Sequence, residues 1–335
     1  MRILHSLLLA TLLLIPLSSC SVIDDDLSKC ANTYSIDYNL HVVTNIDMQI
    51  NTQLNMETDL NARNFLSNYY QQLLQPAVSN VDLGFYDANT GDMQRAYYRK
   101  MRGTTANFAI ELPAANYRHL ASVGHTAGQS EVHLADTNLV TSSKLIQEQG
   151  DTINGHQLPI LTGRLDMNVL GNVAQSFNVN LYPADANVAV IATVKNGVRD
   201  VRVFLTDLAN SFTINDSTWQ FNVNPMIRTH RVPVTNTTDS AYLVTVFPSR
   251  ASATRADDDD AAAQGSVWRA IVMAQLSDGS VTRSVLYVRT PLKAGDVRVL
   301  RITVDANGAA ITKAADVGAS VTLNWNKGGE YNPDI

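Results

Sequence analysis

Cysteine is all but missing. Of 335 residues only Cys20 and Cys30 carry a thiol. If either is consumed by another reaction, no intramolecular disulfide remains, and a disulfide-stapled scaffold is excluded. Cys30 then reads as a small buried apolar residue, with an intermolecular disulfide left open. Charge is sparse at 17% of residues, the formal net charge is -6, and no basic patch is interleaved with aromatic residues. Nucleic acid is therefore not an expected partner. With three tryptophans an aromatic-lined carbohydrate cleft is poorly supplied. Catalytic signatures are absent too: G-x-S-x-G, G-x-x-x-x-G-K-[ST] and H-E-x-x-H do not occur. His119, His125 and His133 fall in one region with Glu131 and Asp136. Their intervals match neither a helical i, i+4 pair nor the close spacing of a zinc hairpin. The expectation is a protein with no catalytic residue, no metal and no cofactor.

Long apolar runs are also scarce. The one candidate is Leu7 to Leu14, interrupted by Ala10 and Thr11 and closed by Pro16 and two serines. A bilayer-spanning helix needs about 20 apolar residues, so this run is too short. With Arg2 before it and Leu17-Ser18-Ser19-Cys20 after it, the segment reads as a secretory signal ending in a lipoprotein box. Cleavage is expected between Ser19 and Cys20, with Cys20 acylated. Residues 1–19 form the signal peptide and residues 20–33 a lipidated acidic leader. Each buried CH₂ of an acyl chain contributes about 0.8 kcal/mol, and more than one chain gives stable anchoring. The partner of Cys20 is thus the lipid bilayer. Asp24, Asp25 and Asp26 follow at once. They read as a solvated spacer or as a surface-sorting signal.

The whole sequence is 45% hydrophobic, enough for real cores, and the chain beyond the leader is long enough for about two domains of ~150 residues. Its dominant period is two. Tyr34 to Leu40, Val201 to Val203, Val297 to Val299 and Arg301 to Val304 alternate apolar and polar residues. Val188 to Val194, Tyr242 to Phe247, Val267 to Leu276 and Val281 to Val288 are apolar, β-branched-rich runs of strand length. Asn196-Gly197, Asp278-Gly279 and Asn307-Gly308 supply turns between them. Antiparallel sandwiches are the expected outcome. One helix is predicted from Asp59 or Thr58 to just before Pro76, with Phe65, Leu66, Tyr69, Tyr70, Leu73 and Leu74 along one side. It is expected to pack on the first sheet. Gly124 to Gly155 reads as a polar, turn-rich stretch, and the strand pattern restarts near Leu158. The domain boundary is accordingly placed at 160, giving domains 34–160 and 161–335. Arg250 to Gly265, with Asp257 to Asp260, reads as a solvated surface loop. Its run of acids lacks the alternating ligands and sixth-position glycine of an EF-hand.

Several stretches together resemble the anchoring-subunit lipoproteins of type V fimbriae, the minor fimbrium anchoring subunit family. They are Cys20 to Cys30, Leu161-Thr162-Gly163-Arg164-Leu165-Asp166-Met167, Leu208-Ala209-Asn210-Ser211-Phe212, and the ending from Val321 through Trp325 to Ile335. The resemblance implies an all-β fold with one short helix: two tandem transthyretin-like antiparallel β-sandwich domains. It implies an outer-membrane, lipid-anchored protein, exposed at the cell surface, that holds a pilus and ends its assembly. The implied partner is a fimbrial stalk subunit, joined by strand exchange, a form of β-augmentation. In such pilins an arginine-directed protease removes the first strand of stalk subunits. Here no arginine lies between Cys20 and Ala62, and the first in that direction is Arg63, within the predicted helix. The first strand is thus expected to stay. The exchanged element is then expected at the C-terminus, with Ala319, Val321, Leu323 and Trp325 at alternate positions. A tip or stalk subunit of the same class, or a surface glycan-binding lipoprotein, are the competing readings. Asp151-Thr152-Ile153 and Asp239-Ser240-Ala241 look like bacterial O-glycan acceptors, and the sequence leaves their use open.

Overall fold

Alternation builds the first sandwich. In β1 (Thr33–Val42) Ile36, Tyr38, Leu40 and Val42 are buried, while Ser35, Asp37 and His41 are exposed. The computed structural model describes residues 32–44, 50, 60–74, 79–125, 131–252 and 265–324. Helix α1 (Leu60–Leu74) follows β1. Next come β2 (Ser79–Asp87), β3 (Met93–Met101), β4 (Thr105–Pro113) and β5 (Ala115–Val123). Three short strands, β6 (Val132–Ala135), β7 (Lys144–Gln147) and β8 (Thr152–Asn154), lead to β9 (Leu161–Val169) and β10 (Ser176–Pro183). One layer runs β3-β2-β5-β9 and the other β10-β1-β4. They meet at a corner where β9 and β10 share two residue pairs, Thr162 with Tyr182 and Leu161 with Pro183. Gly163 permits this corner: a Cβ there would come within 2.6 Å of the Asn180 carbonyl oxygen. Phe85, Tyr117, Ile110, Leu181 and the buried side of β1 fill the space between the layers.

The second sandwich starts two residues later. Its strands are β11 (Ala186–Val194), β12 (Val198–Thr206), β13 (Ser211–Thr213), β14 (Thr218–Gln220), β15 (Met226–Arg228), β16 (His230–Pro233) and β17 (Ser240–Val246). They continue with β18 (Trp268–Leu276), β19 (Val281–Val288), β20 (Val297–Val304), β21 (Ala310–Thr312) and β22 (Val317–Asn324). One layer runs β16-β17-β11-β20-β21 and the other β22-β19-β18-β12-β15-β8. Trp268 sits at its centre, fully buried, its indole N–H donating to the Thr290 carbonyl at 3.0 Å.

The two sandwiches repeat one topology in the same chain order. The first strand of each lies between an antiparallel and a parallel neighbour: β1 between β4 and β10, β11 between β17 and β20. The second strand leads an antiparallel run in both: β3-β2-β5-β9 and β15-β12-β18-β19. The fold is therefore all-β with two tandem sandwiches, antiparallel apart from the β1–β10, β11–β20 and β8–β15 pairs.

Three expectations change. The boundary is not at 160, because β9 and β10 complete the first sandwich and the junction is Ala184-Asp185. The pattern that restarts near Leu158 is the return of the first domain after an insertion. That insertion, expected as loop, holds β6, β7 and β8. Helix α1 does not pack on the first sheet. Ala62, Leu66 and Tyr70 pack on Ala189, Ile191, Ala241, Leu243 and Val297, the outer face of the second domain's β17-β11-β20 layer.

Candidate functional site

Function is expected at the two ends of the chain, and the fold treats the first and last described strands differently. β1 is an interior strand. It pairs with β4 from Thr33 to His41 and with β10 from Asp37 to Val42. Tyr38 locks it to the opposite layer. His119 on β5 has Nδ1 2.8 Å from the Gly84 carbonyl oxygen, and a carbonyl can only accept, so Nδ1 carries the proton. Nε2 is left to accept the Tyr38 hydroxyl at 2.5 Å. The imidazole stacks on Phe85 with centroids 4.3 Å apart. Full burial holds its pKa down at about 3. Thus β1, β2 and β5 are joined by one buried polar chain. Arg63 lies inside α1, half-buried. A protease that needs an extended substrate strand does not find one there.

Among the described residues the C-terminal strand is an edge strand. β22 pairs with β19 over eight residues, Val317 with Val288 through Asn324 with Val281. The register sets Ala319 opposite Leu286, Val321 opposite Ser284 and Leu323 opposite Thr282. Ala319 is exposed and Val317 packs against the core margin. β22 has no counterpart in the first sandwich. It is added outside the duplicated set of strands, on the edge of β19. Trp325 lies outside the described residues, as do Ser19, Cys20, Asp24, Asp25, Asp26 and Asp257 to Asp260.

His119 belongs to the core. His125 Nε2 is 2.7 Å from Ser122 Oγ and 3.6 Å from Asp82 Oδ2, while His133 is exposed on β6. Glu131 is buried and accepts from the Gln157 side-chain amide at 2.7 Å. Asp136 pairs instead with Lys144 at 2.8 Å. These side chains do not converge. The two glycan-acceptor candidates are closed to solvent. Ser240 is buried and its Oγ accepts from Arg231 Nε at 3.2 Å, and the Thr152 hydroxyl is buried as well. Arg250 lies over the Phe221 ring at 4.2 Å. No described helix is long and apolar enough to cross a membrane.

Sequence reasoning missed the buried carboxylate at the junction. Asp185 Oδ2 accepts the Ile160 N–H at 2.7 Å and lies 3.6 Å from His156 Nδ1. Burial raises its carboxyl pKa. A polar residue immediately before a long apolar strand was the available signal.

No protein-family model and no curated protein matches the chain. Among solved structures it is similar to a candidate adhesin from Bacteroides ovatus, at TM-score 0.48 and 11% identity over 80% of this chain and 86% of that one. A candidate polysaccharide-binding protein from Bacteroides thetaiotaomicron gives TM-score 0.48 and 11% identity over 88% and 100%. The tip fimbrial protein Mfa3 from Porphyromonas gingivalis, with a C-terminal truncation, gives TM-score 0.44 and 10% identity over 87% and 100%. Likeness this distant transfers no function.

Proposed function

We propose that this chain is a fimbrial surface subunit that holds a pilus at the outer membrane through acylated Cys20 and ends its growth. The observation that carries the reading is the contrast between the two terminal strands. β1 is held on both sides and through Tyr38 to His119, with no arginine between Cys20 and Ala62. Its groove is filled by its own chain. β22 is an additional edge strand whose loss leaves the repeated topology whole. An edge strand presents unpaired backbone groups that template another strand. The stalk subunit then engages the C-terminal part of the second sandwich. The lipid end remains free to stay in the membrane.

Two variants test this in cells. Cys20→Ala is expected to abolish acylation and shed pili into the medium. Deleting 319–335 is expected to release fimbriae while the lipoprotein remains folded and membrane-bound. Normal pili retained on cells carrying both variants would remove the anchoring role. Pili that detach together with this protein at their distal end would point instead to a tip subunit.

A further inference from the structure

The β6–β7 hairpin packs on the outward side of β2 and β5, and a pocket of about 230 Å³ beside it, with exposed Ala96 and Tyr98 of β3 at its margin, includes Ile214 in its lining. The strand period explains its lining. Leu83 and Phe85 of β2 enter the sandwich core, so Asp82, Gly84 and Tyr86 belong to the opposite side. Gly84 shapes the floor. A Cβ there would come within 2.8 Å of the Tyr86 ring, so only glycine lets that ring lie back along the strand. Tyr86 and Ser143 close one wall through a 2.6 Å hydroxyl pair. Leu120, Leu134 and exposed Tyr98 also line it.

Asp82 is the one charged side chain among the lining residues. Its carboxylate is about one-third exposed and its pKa is raised by burial. The His125 imidazole lies 3.6 Å away. Burial holds that imidazole down at about 4, so it is neutral at neutral pH and supplies no charge to pair with the carboxylate. A carboxylate in a mostly apolar cleft without a cation is costly. A cation that enters gains a charge-assisted hydrogen bond in low dielectric. The tyrosine rings attract the same charge through their faces.

We propose that this pocket binds a primary ammonium group carried on a short apolar or aryl stem. Its volume is below the ~300–1,000 Å³ of sites for drug-sized ligands, so it takes one small amine or one lysine side chain. A sugar would need several convergent polar groups, and most of this wall is apolar. The inference stands apart from the anchoring role and does not depend on it.

Calorimetric titration of the purified full chain tests it, with phenethylammonium, Nα-acetyl-lysine methylamide, 2-phenylethanol and methyl β-glucoside as probes. The two ammonium compounds are expected to bind at least tenfold more tightly than the alcohol or the glucoside. Asp82→Asn should weaken them at least tenfold, Ala96→Phe should fill the pocket and abolish binding, and Glu111→Gln on distant β4 should change nothing. Tighter binding of the lysine derivative indicates a lysine of a partner protein; tighter binding of phenethylammonium indicates a free amine. Either supports the proposal. Absence of ammonium binding, equal binding by Asp82→Asn, or preference for the alcohol or the glucoside overturns it. Unchanged melting temperatures of Asp82→Asn and Ala96→Phe establish that lost binding is not lost fold.

Discussion

At the residue scale the buried histidines set how the protein meets acid. His119 and His125 have folded pKa values of about 3 and about 4, both depressed by burial from the unfolded value near 6.5. Below pH 6.5 the unfolded chain takes up these protons and the folded chain does not. Stability is therefore lost as pH falls through the window from 6.5 down to the folded values, at about 1.4 kcal/mol per pH unit for each histidine. Asp82 and Asp185, whose carboxyls are raised by burial, work in the opposite direction in acid. A difference between variants isolates the histidine contribution. Replacing both partners of the buried pair, Tyr38→Phe with His119→Phe, removes hydroxyl and imidazole together but also takes the His119 N–H from the Gly84 carbonyl, so the double variant carries a cost at pH 8 and the comparison rests on the change with pH. Urea denaturation at pH 8 and pH 5.5 should find the double variant about 1.4 kcal/mol less sensitive to acid than the wild type. An identical pH dependence would mean that His119 is already charged in the fold. None of this was legible in the sequence. His119 there is one of three histidines in a region, and only the three-dimensional neighbours Gly84, Phe85 and Tyr38 reveal why it is neutral.

At the element scale the period of two separates strands covered on one face from strands covered on both. β1 alternates, and β10 opposes it with Asn178 and Asn180 exposed. A helix cannot cover a face that polar. β11 and β17 are apolar on both faces and buried at nearly every position, the signature of a sheet covered on both sides. That contrast was present in Val188 to Val194 and Tyr242 to Phe247, and it assigned α1 to the second domain. Chain proximity alone favours the first domain, and burial of β11 and β17 on both sides outweighs it. The helix itself was legible, with Ala62, Leu66 and Tyr70 in one row and Phe65, Tyr69 and Leu73 beside it. Leu66→Ala removes a fully buried side chain from this contact. It should lower stability by about 2–5 kcal/mol. Hydrogen exchange should accelerate in β11 and β17 more than in β1 and β4. Faster exchange confined to β1 and β4 would place the helix on the first sandwich after all. β22 was legible as a strand, but its place outside the repeat was not. The repeat lives in strand pairing, which no run of residues displays.

At the scale of the whole molecule, what lies outside the repeat ties the two sandwiches together. Helix α1 leaves the first domain and covers the second. β7 pairs with β13, and β8 extends the second domain's sheet through β15. Arg118 donates to Asn215 Oδ1 at 3.0 Å, and Arg164 to the Asn215 carbonyl. Around these ties Tyr86, Leu120, Val132, Ile160, Phe212 and Phe247 form one buried cluster drawn from both halves. Domains joined by small polar contacts move relative to each other, and a large apolar junction suppresses that motion. A subunit held by lipid at one end and by a pilus at the other transmits force through this junction, so a rigid pair suits the proposed role. Scanning calorimetry of the wild type should show one transition, with the calorimetric and van't Hoff enthalpies equal. Phe212 is buried and stacks on Trp219 with centroids 4.1 Å apart. Phe212→Ala should cost about 3–5 kcal/mol and split the transition in two, because the lost contacts belong to the cluster that couples the sandwiches. Two resolved transitions in the wild type would show that the sandwiches unfold independently, and the insertions would then be decoration on two separate domains.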